Sequence, residues 1–132
     1  MKQFKIPFRG LGLGSHVFDW QIDKTFFEAF ENPDVFDCTL SVNLNIEKQE
    51  RMMILDFDFK GSMEVACDRC LENFDLPVNL NERYYVKFGE ERKEESEDIL
   101  VIPESDYQLE LAPLLFDYIS LAIPIKKVHP EN

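Results

Sequence analysis

The sequence predicts an α+β protein that is mainly β: a curled antiparallel sheet, barrel-like or a sandwich, with two helices packed on it. Three observations carry this. Long stretches place apolar residues at every second position, only two segments carry helical spacing, and no strand-helix-strand succession recurs to build a parallel sheet.

The strands come first. Phe36, Cys38, Leu40, Val42, Leu44 and Ile46 alternate with Asp37, Thr39, Ser41, Asn43 and Asn45, so one face is buried and the other wet. After a polar break at residues 47–51 the apolar phase moves to Met53, Leu55, Phe57 and Phe59 and, past Gly61, to Met63, Val65 and Cys67. The glycine marks a bend or bulge in one long strand. Beyond a corner at residues 67–72, Phe74, Leu76, Val78 and Leu80 resume the alternation; Tyr84, Val86 and Phe88 continue it past an out-of-pattern Glu82. These three strands form a meander. Shorter strands are predicted at residues 4–8, 17–22 and 99–102. Pro7 cannot donate a ladder hydrogen bond, which puts the first of them at a sheet edge. Gly10, Gly12 and Gly14 lack the spacing of a dinucleotide site and read as a hairpin loop, with His16 as a turn residue.

Two helices complete the chain. Asp23 caps a short one in which Phe26, Phe27 and Phe30 share a face, ending near Asn32 and Pro33. Leu111, Leu114, Leu115, Tyr118, Ile119 and Ala122 follow the spacing of an amphipathic helix, with Pro113 in its first turn and Pro124 at its end. No repeat and no linker divides the chain, and residues 1–132 are read as a single domain.

Composition narrows the function classes. Apolar residues make up 45% of the 132 and include twelve Phe, too many core-forming side chains for a disordered acidic tail. The apolar runs fall far short of the roughly 18 to 20 residues of a membrane span, no secretory signal is visible, and the odd count of three cysteines disfavours a disulfide scaffold. A cytoplasmic protein is expected. The net charge of -12 is unevenly placed: residues 16–125 hold 25 acids and 9 bases, or -16, between two weakly basic ends. Its densest stretch, residues 89–98, reads G-E-E-R-K-E-E-S-E-D and is expected to be a flexible loop. The loop is either solvated chain joining two strands or, through Glu90, Glu91, Glu94 and Glu95, an acidic surface for a basic partner. Nucleic acid is a polyanion, and a body at -16 opposes the counterion release that normally drives its binding.

Chemistry is confined to Cys67-Asp68-Arg69-Cys70 at the strand corner. Two thiolates at C-x-x-C spacing on a tight turn can grip one zinc ion from the same side, yet tetrahedral zinc needs four ligands. The alternatives are two unligated cysteines and a half-site completed by His129 and a further ligand. Cys38 belongs to a buried strand face and is a poor third ligand. A dithiol enzyme is disfavoured because no helix follows the motif to lower a thiol pKa. No phosphate loop, nucleophile elbow or paired histidines occur, so no catalytic residue is assigned.

With Cys67-Asp68-Arg69-Cys70-Leu71, the following Phe74, and Leu121-Ala122-Ile123-Pro124-Ile125 leading to Val128-His129, the sequence resembles the YceD family. Its members are large ribosomal RNA subunit accumulation proteins of bacteria and plastids. The resemblance runs along nearly the whole chain. It implies a non-enzymatic ribosome-biogenesis factor that supports accumulation or processing of large-subunit ribosomal RNA. In that family a further Cys commonly follows, so ending at Asn132 marks either a chain truncated at its C-terminus or a branch that ends early. Charge points to a ribosomal protein or pre-ribosomal particle as partner. The alternatives are an RNA-binding module using the basic ends and Arg69, with Asp68 beside it, and a zinc-linked structural domain.

Overall fold

The computed structural model describes residues 4–30, 35–68, 72–103, 105–106 and 108–122. Its strands are β1 (Lys5–Ile6), β2 (Gly14–Ile22), β3 (Val35–Lys48), β4 (Met52–Ala66), β5 (Asn73–Gly89), β6 (Lys93–Ser96), β7 (Ile99–Pro103) and β8 (Leu109–Glu110). Helix α1 (Lys24–Ala29) follows β2, and α2 (Ala112–Leu121) follows β8. Six strands form one sheet in the order β2-β3-β4-β5-β7-β6, while β1 pairs with β8 in a second, two-stranded sheet.

The three long strands form the predicted meander. β3, β4 and β5 pair antiparallel over most of their length, and the even positions of β3 meet the odd positions of β4 on one face. Leu40, Val42, Leu44 and Ile46 are buried there against Met53, Leu55, Phe57 and Phe59. Gly61 makes no bulge in β4, because it stays in register with Leu40 on one side and Val78 on the other. Its φ of 149° is a conformation side chains avoid, and a Cβ there would lie 2.0 Å from the Thr39 carbonyl oxygen. The missing side chain lets β3 and β4 close on each other.

The structure corrects several expectations. The sheet is mixed, since β5 and β7 run parallel with Tyr85 opposite Ile99. It ends on β2 and β6 and does not close into a barrel among the described residues. The acidic segment expected as a loop carries β6, which pairs with β7. All four of its residues are exposed, and an edge strand bonded on one side and wet on both faces shows no apolar alternation. Phe36, expected on the buried face from the alternation, is 47% exposed. A register shift between Val35 and Asp37 gives its inward place to Val35. The glycine segment is not a hairpin loop either: it carries a 3-10 turn at Phe8–Gly10 and joins β1 and β2, which lie in different sheets. His16 belongs to β2 and closes that connection through Nε2, 2.7 Å from the Gly12 carbonyl oxygen. Lys48 fastens it as well, donating to the carbonyls of Phe8 at 2.6 Å and Leu11 at 2.7 Å.

Both helices pack on the buried face. Asp23 caps α1 as predicted, its carboxylate accepting from the Thr25 amide at 3.0 Å and from the Thr25 hydroxyl. That contact holds the Asp23 carboxyl below its ordinary range. The phenylalanines bring the helices together: Phe30 of the α1 cap stacks on Phe116 of α2 at 4.5 Å, and Phe26 meets Phe4 edge-on at 5.5 Å. Pro113 sits in the first turn of α2, and Leu115, Tyr118 and Ile119 are buried beneath it. Pro124 lies outside the described residues.

Candidate functional site

The buried face is left uncovered where the β5 pattern breaks. Residue 82 pairs with Phe57 of β4, on the face where every neighbour in the row is apolar, and it is Glu. A carboxylate among apolar residues must reach water or a partner to keep its charge. Glu82 is half-buried and lines an open groove of about 860 Å³ between α2 and the end of the sheet formed by β5, β6 and β7.

The groove is acidic. β5 supplies Glu82, β6 supplies Glu94, the turn into β7 supplies Glu97 and Asp98, and α2 supplies Asp117. Against these five carboxylates stands one lining cation, Arg83, whose guanidinium is turned to Asp56, donating to its two oxygens at 2.7 and 3.3 Å. None of the five forms an ion pair with a described residue. Carboxylates gathered in one cleft without counter-charges among the described residues set up a negative potential focused on the opening.

The groove also has an apolar side. Leu121, at the end of α2, is 72% exposed, and Leu114 lies half-buried one helical face along. Between them Tyr118 packs its ring on Phe57 and Phe59, with centroids 5.6 and 6.2 Å apart. Tyr118 is only 8% exposed, and its buried hydroxyl has no hydrogen-bond partner among the described residues. Burial pushes that phenol well above its ordinary range, with Glu82, Tyr84, Asp98 and Asp117 adding to the shift. Tyr84, also lining the groove, is pushed up by burial and by Glu94, while Arg92 acts in the opposite sense. Both phenols are therefore neutral donors near neutral pH.

The residues singled out from sequence fall in two separate regions. Glu94 lines the groove, whereas Glu95, at the register shift between Glu94 and Ser96, pairs with Lys87 at 3.0 Å. Glu90 and Glu91 are exposed on the turn after β5. Asp68 is exposed just past β4, at the other end of β5 and on the order of 50 Å of strand away. Cys67 is fully buried, and its amide donates to the Glu72 carbonyl at 2.8 Å, closing the corner. Arg69, Cys70 and His129 lie outside the described residues. Cys38 is buried on β3 and donates to the Ile22 carbonyl at 3.6 Å; burial, helped by Asp37 and Asp23, pushes its thiol up to about 12, so it stays neutral. Among the described residues no three metal-ligating side chains cluster. Sequence reasoning missed Asp117, Tyr118 and Leu121 as site residues because each obeys the pattern of its helix. Glu82 left a signal as the break in β5, and Glu97 and Asp98 lay within the acidic stretch at residues 89–98.

A family model described as large ribosomal RNA subunit accumulation protein YceD matches residues 55–132. The match takes in β4 from Leu55 onward, the Cys67 corner and every residue that lines the groove. No curated protein and no solved structure matches the chain.

Proposed function

The chain belongs to the YceD family, and from that membership we propose that it supports accumulation or processing of large-subunit ribosomal RNA in the cytoplasm without catalysing a reaction. It does so by holding a basic protein partner, a ribosomal protein or one displayed on a pre-ribosomal particle. The observation that carries this reading is the charge: residues 16–125 hold -16, and the groove gathers five carboxylates without an ionic partner among the described residues. Such a surface repels phosphate and attracts lysine-rich protein. No helix among the described residues is long and apolar enough to cross a membrane.

Two measurements test it. A pull-down from cell lysate at low and at high salt is expected to retain ribosomal proteins at low salt and lose them at high salt. Depletion of the protein is expected to lower mature large-subunit RNA. No ribosomal protein at low salt, or an unchanged RNA level, overturns the reading. Arg69→Ala with intact pull-down separates it from direct RNA binding at the corner. The Cys67 corner is assigned a structural part, with zinc on Cys67, Cys70 and His129 as its metal-linked form. Metal analysis decides that form: a folded, zinc-free chain with both thiols reactive removes it.

A further inference from the structure

Resting on that reading, we infer that the partner enters as a peptide segment in which lysine or arginine flanks an apolar side chain, seated in the groove between α2 and β6. The groove selects this chemistry in three independent ways. Glu82, Glu94, Glu97, Asp98 and Asp117 attract cations and have no ion-pair partner among the described residues. Leu121, 72% exposed, offers an apolar contact at the groove's rim, which a purely ionic partner would leave wet. The Tyr118 hydroxyl is a buried donor without an acceptor among the described residues. Buried polar groups are almost always paired, and an orphan on a side chain that lines an open groove marks where a small shift of the ring would admit a ligand acceptor. A backbone carbonyl supplies that acceptor on the same segment that carries the cations and the apolar side chain. An RNA phosphate would also accept from Tyr118, but only by placing its charge among five carboxylates.

The test is fluorescence anisotropy on the purified full chain with labelled probes: a twelve-residue lysine-leucine peptide, a lysine-only peptide of equal charge, and a fragment of large-subunit RNA. The lysine-leucine peptide is expected to bind, to weaken as salt screens the carboxylates, and to bind several-fold more tightly than the lysine-only peptide. Glu97→Lys with Asp117→Lys is expected to weaken it at least about tenfold. Glu28→Lys with Asp75→Lys makes the same change in net charge at exposed sites outside the groove and is expected to leave binding within about twofold. Leu121→Asp removes the preference for leucine, and Tyr118→Phe weakens binding several-fold while the chain unfolds no earlier. Equal losses in the two double variants reduce the effect to net charge and overturn the groove. Wild-type affinity in the groove variant, or tighter binding of RNA than of peptide, overturns it too. If the probe binds only after Lys126→Ser with Lys127→Ser, the groove's occupant is the chain's own end; if the free protein sediments as a dimer that Leu121→Asp dissolves, it is a second copy. Both outcomes sink the proposal. The functional reading fails separately: wild type that retains no ribosomal protein, yet binds the probe through the groove, removes the ribosomal role alone. Wild type and the groove variant retaining ribosomal proteins equally removes the groove alone.

Discussion

β4 and β5 lie side by side in the same sheet, yet one is sealed and the other is not. On β4 every inward side chain from Met53 to Val65 apart from Gly61 is at most 2% exposed. On β5 the inward row alternates, with Phe74, Val78, Tyr84 and Val86 buried but Leu76, Leu80 and Glu82 half-buried. β4 is paired on both sides along nearly its whole length, whereas β7 flanks β5 only from Tyr85 to Gly89, so Leu76, Leu80 and Glu82 lie where β5 has a single neighbour among the described residues. Cover differs as well: the aromatic side chains and helices close over β4, while next to β5 they leave the groove open. Central strands build the core only where a second layer reaches them, and where it stops a sheet can present chemistry.

The largest test of this contrast is truncation on the sealed strand. Phe59→Ala empties a fully buried site and is expected to cost roughly 3 to 5 kcal/mol in urea unfolding. Leu80→Ala, one strand away and directly opposite Phe59, is expected to cost less than about 2 kcal/mol because water already reaches the site. Equal costs would break the comparison. Next comes Gly61→Ala. Its Cβ would meet the Thr39 carbonyl at 2.0 Å in a backbone conformation that side chains avoid. Strain plus overpacking predicts a loss of roughly 2 to 5 kcal/mol. Gly12→Ala, with open space around it, is expected to change little.

This contrast also explains what the sequence disclosed. The alternation of β3, β4 and β5 was readable because each carries a buried and a wet face, and the cap at Asp23 because its chemistry is local. The parallel pairing of β7 with β5 was not, since a choice of neighbour leaves no periodic mark. β6 was hidden because an exposed edge strand needs no apolar row, and Phe36 misled because a bulge shifts a residue across the sheet without altering composition. Of the groove, Glu94, Glu97 and Asp98 were visible in the acidic stretch, and Glu82 as an acid where the pattern called for an apolar residue. Asp117 and Leu121 look like ordinary helix positions until α2 is laid beside β5.

A smaller effect is expected at α1, which helps to cover the sealed side. Asp23→Ala removes the cap and is expected to cost about 1 kcal/mol by thermal unfolding. The sign with pH follows from the depressed carboxyl. Its folded pKa lies below the ordinary 3.8, so the stabilisation is present above that value and is lost as pH falls through the folded pKa. Wild type and Asp23→Ala are therefore expected to converge in acid. A gap that persists at the lowest pH would assign the cost to packing instead of the charged cap.

The smallest effect lies on the open side and has the opposite sign. Tyr118 keeps its ring on Phe57 and Phe59 but buries a hydroxyl without a partner among the described residues. An unmade hydrogen bond costs free energy that phenylalanine does not incur, so Tyr118→Phe is expected to leave stability unchanged or raise it by about 1 kcal/mol. The phenol's folded pKa lies above its ordinary 10.0, so wild type should lose stability as pH climbs past that value, and the variant should lose less. The Cys38 thiol, raised from 9.0 to about 12, weakens the fold in the same alkaline range, but it is present in both chains and cancels from their difference. Chemical denaturation at pH 8 and pH 10.5 measures that difference. Should Tyr118→Phe instead destabilise by more than about 1 kcal/mol at pH 8, the hydroxyl already has an acceptor in the free protein. The groove would then hold no open donor, and β5 would be as closed as β4 at the one position where the two strands differ in chemistry as well as in cover.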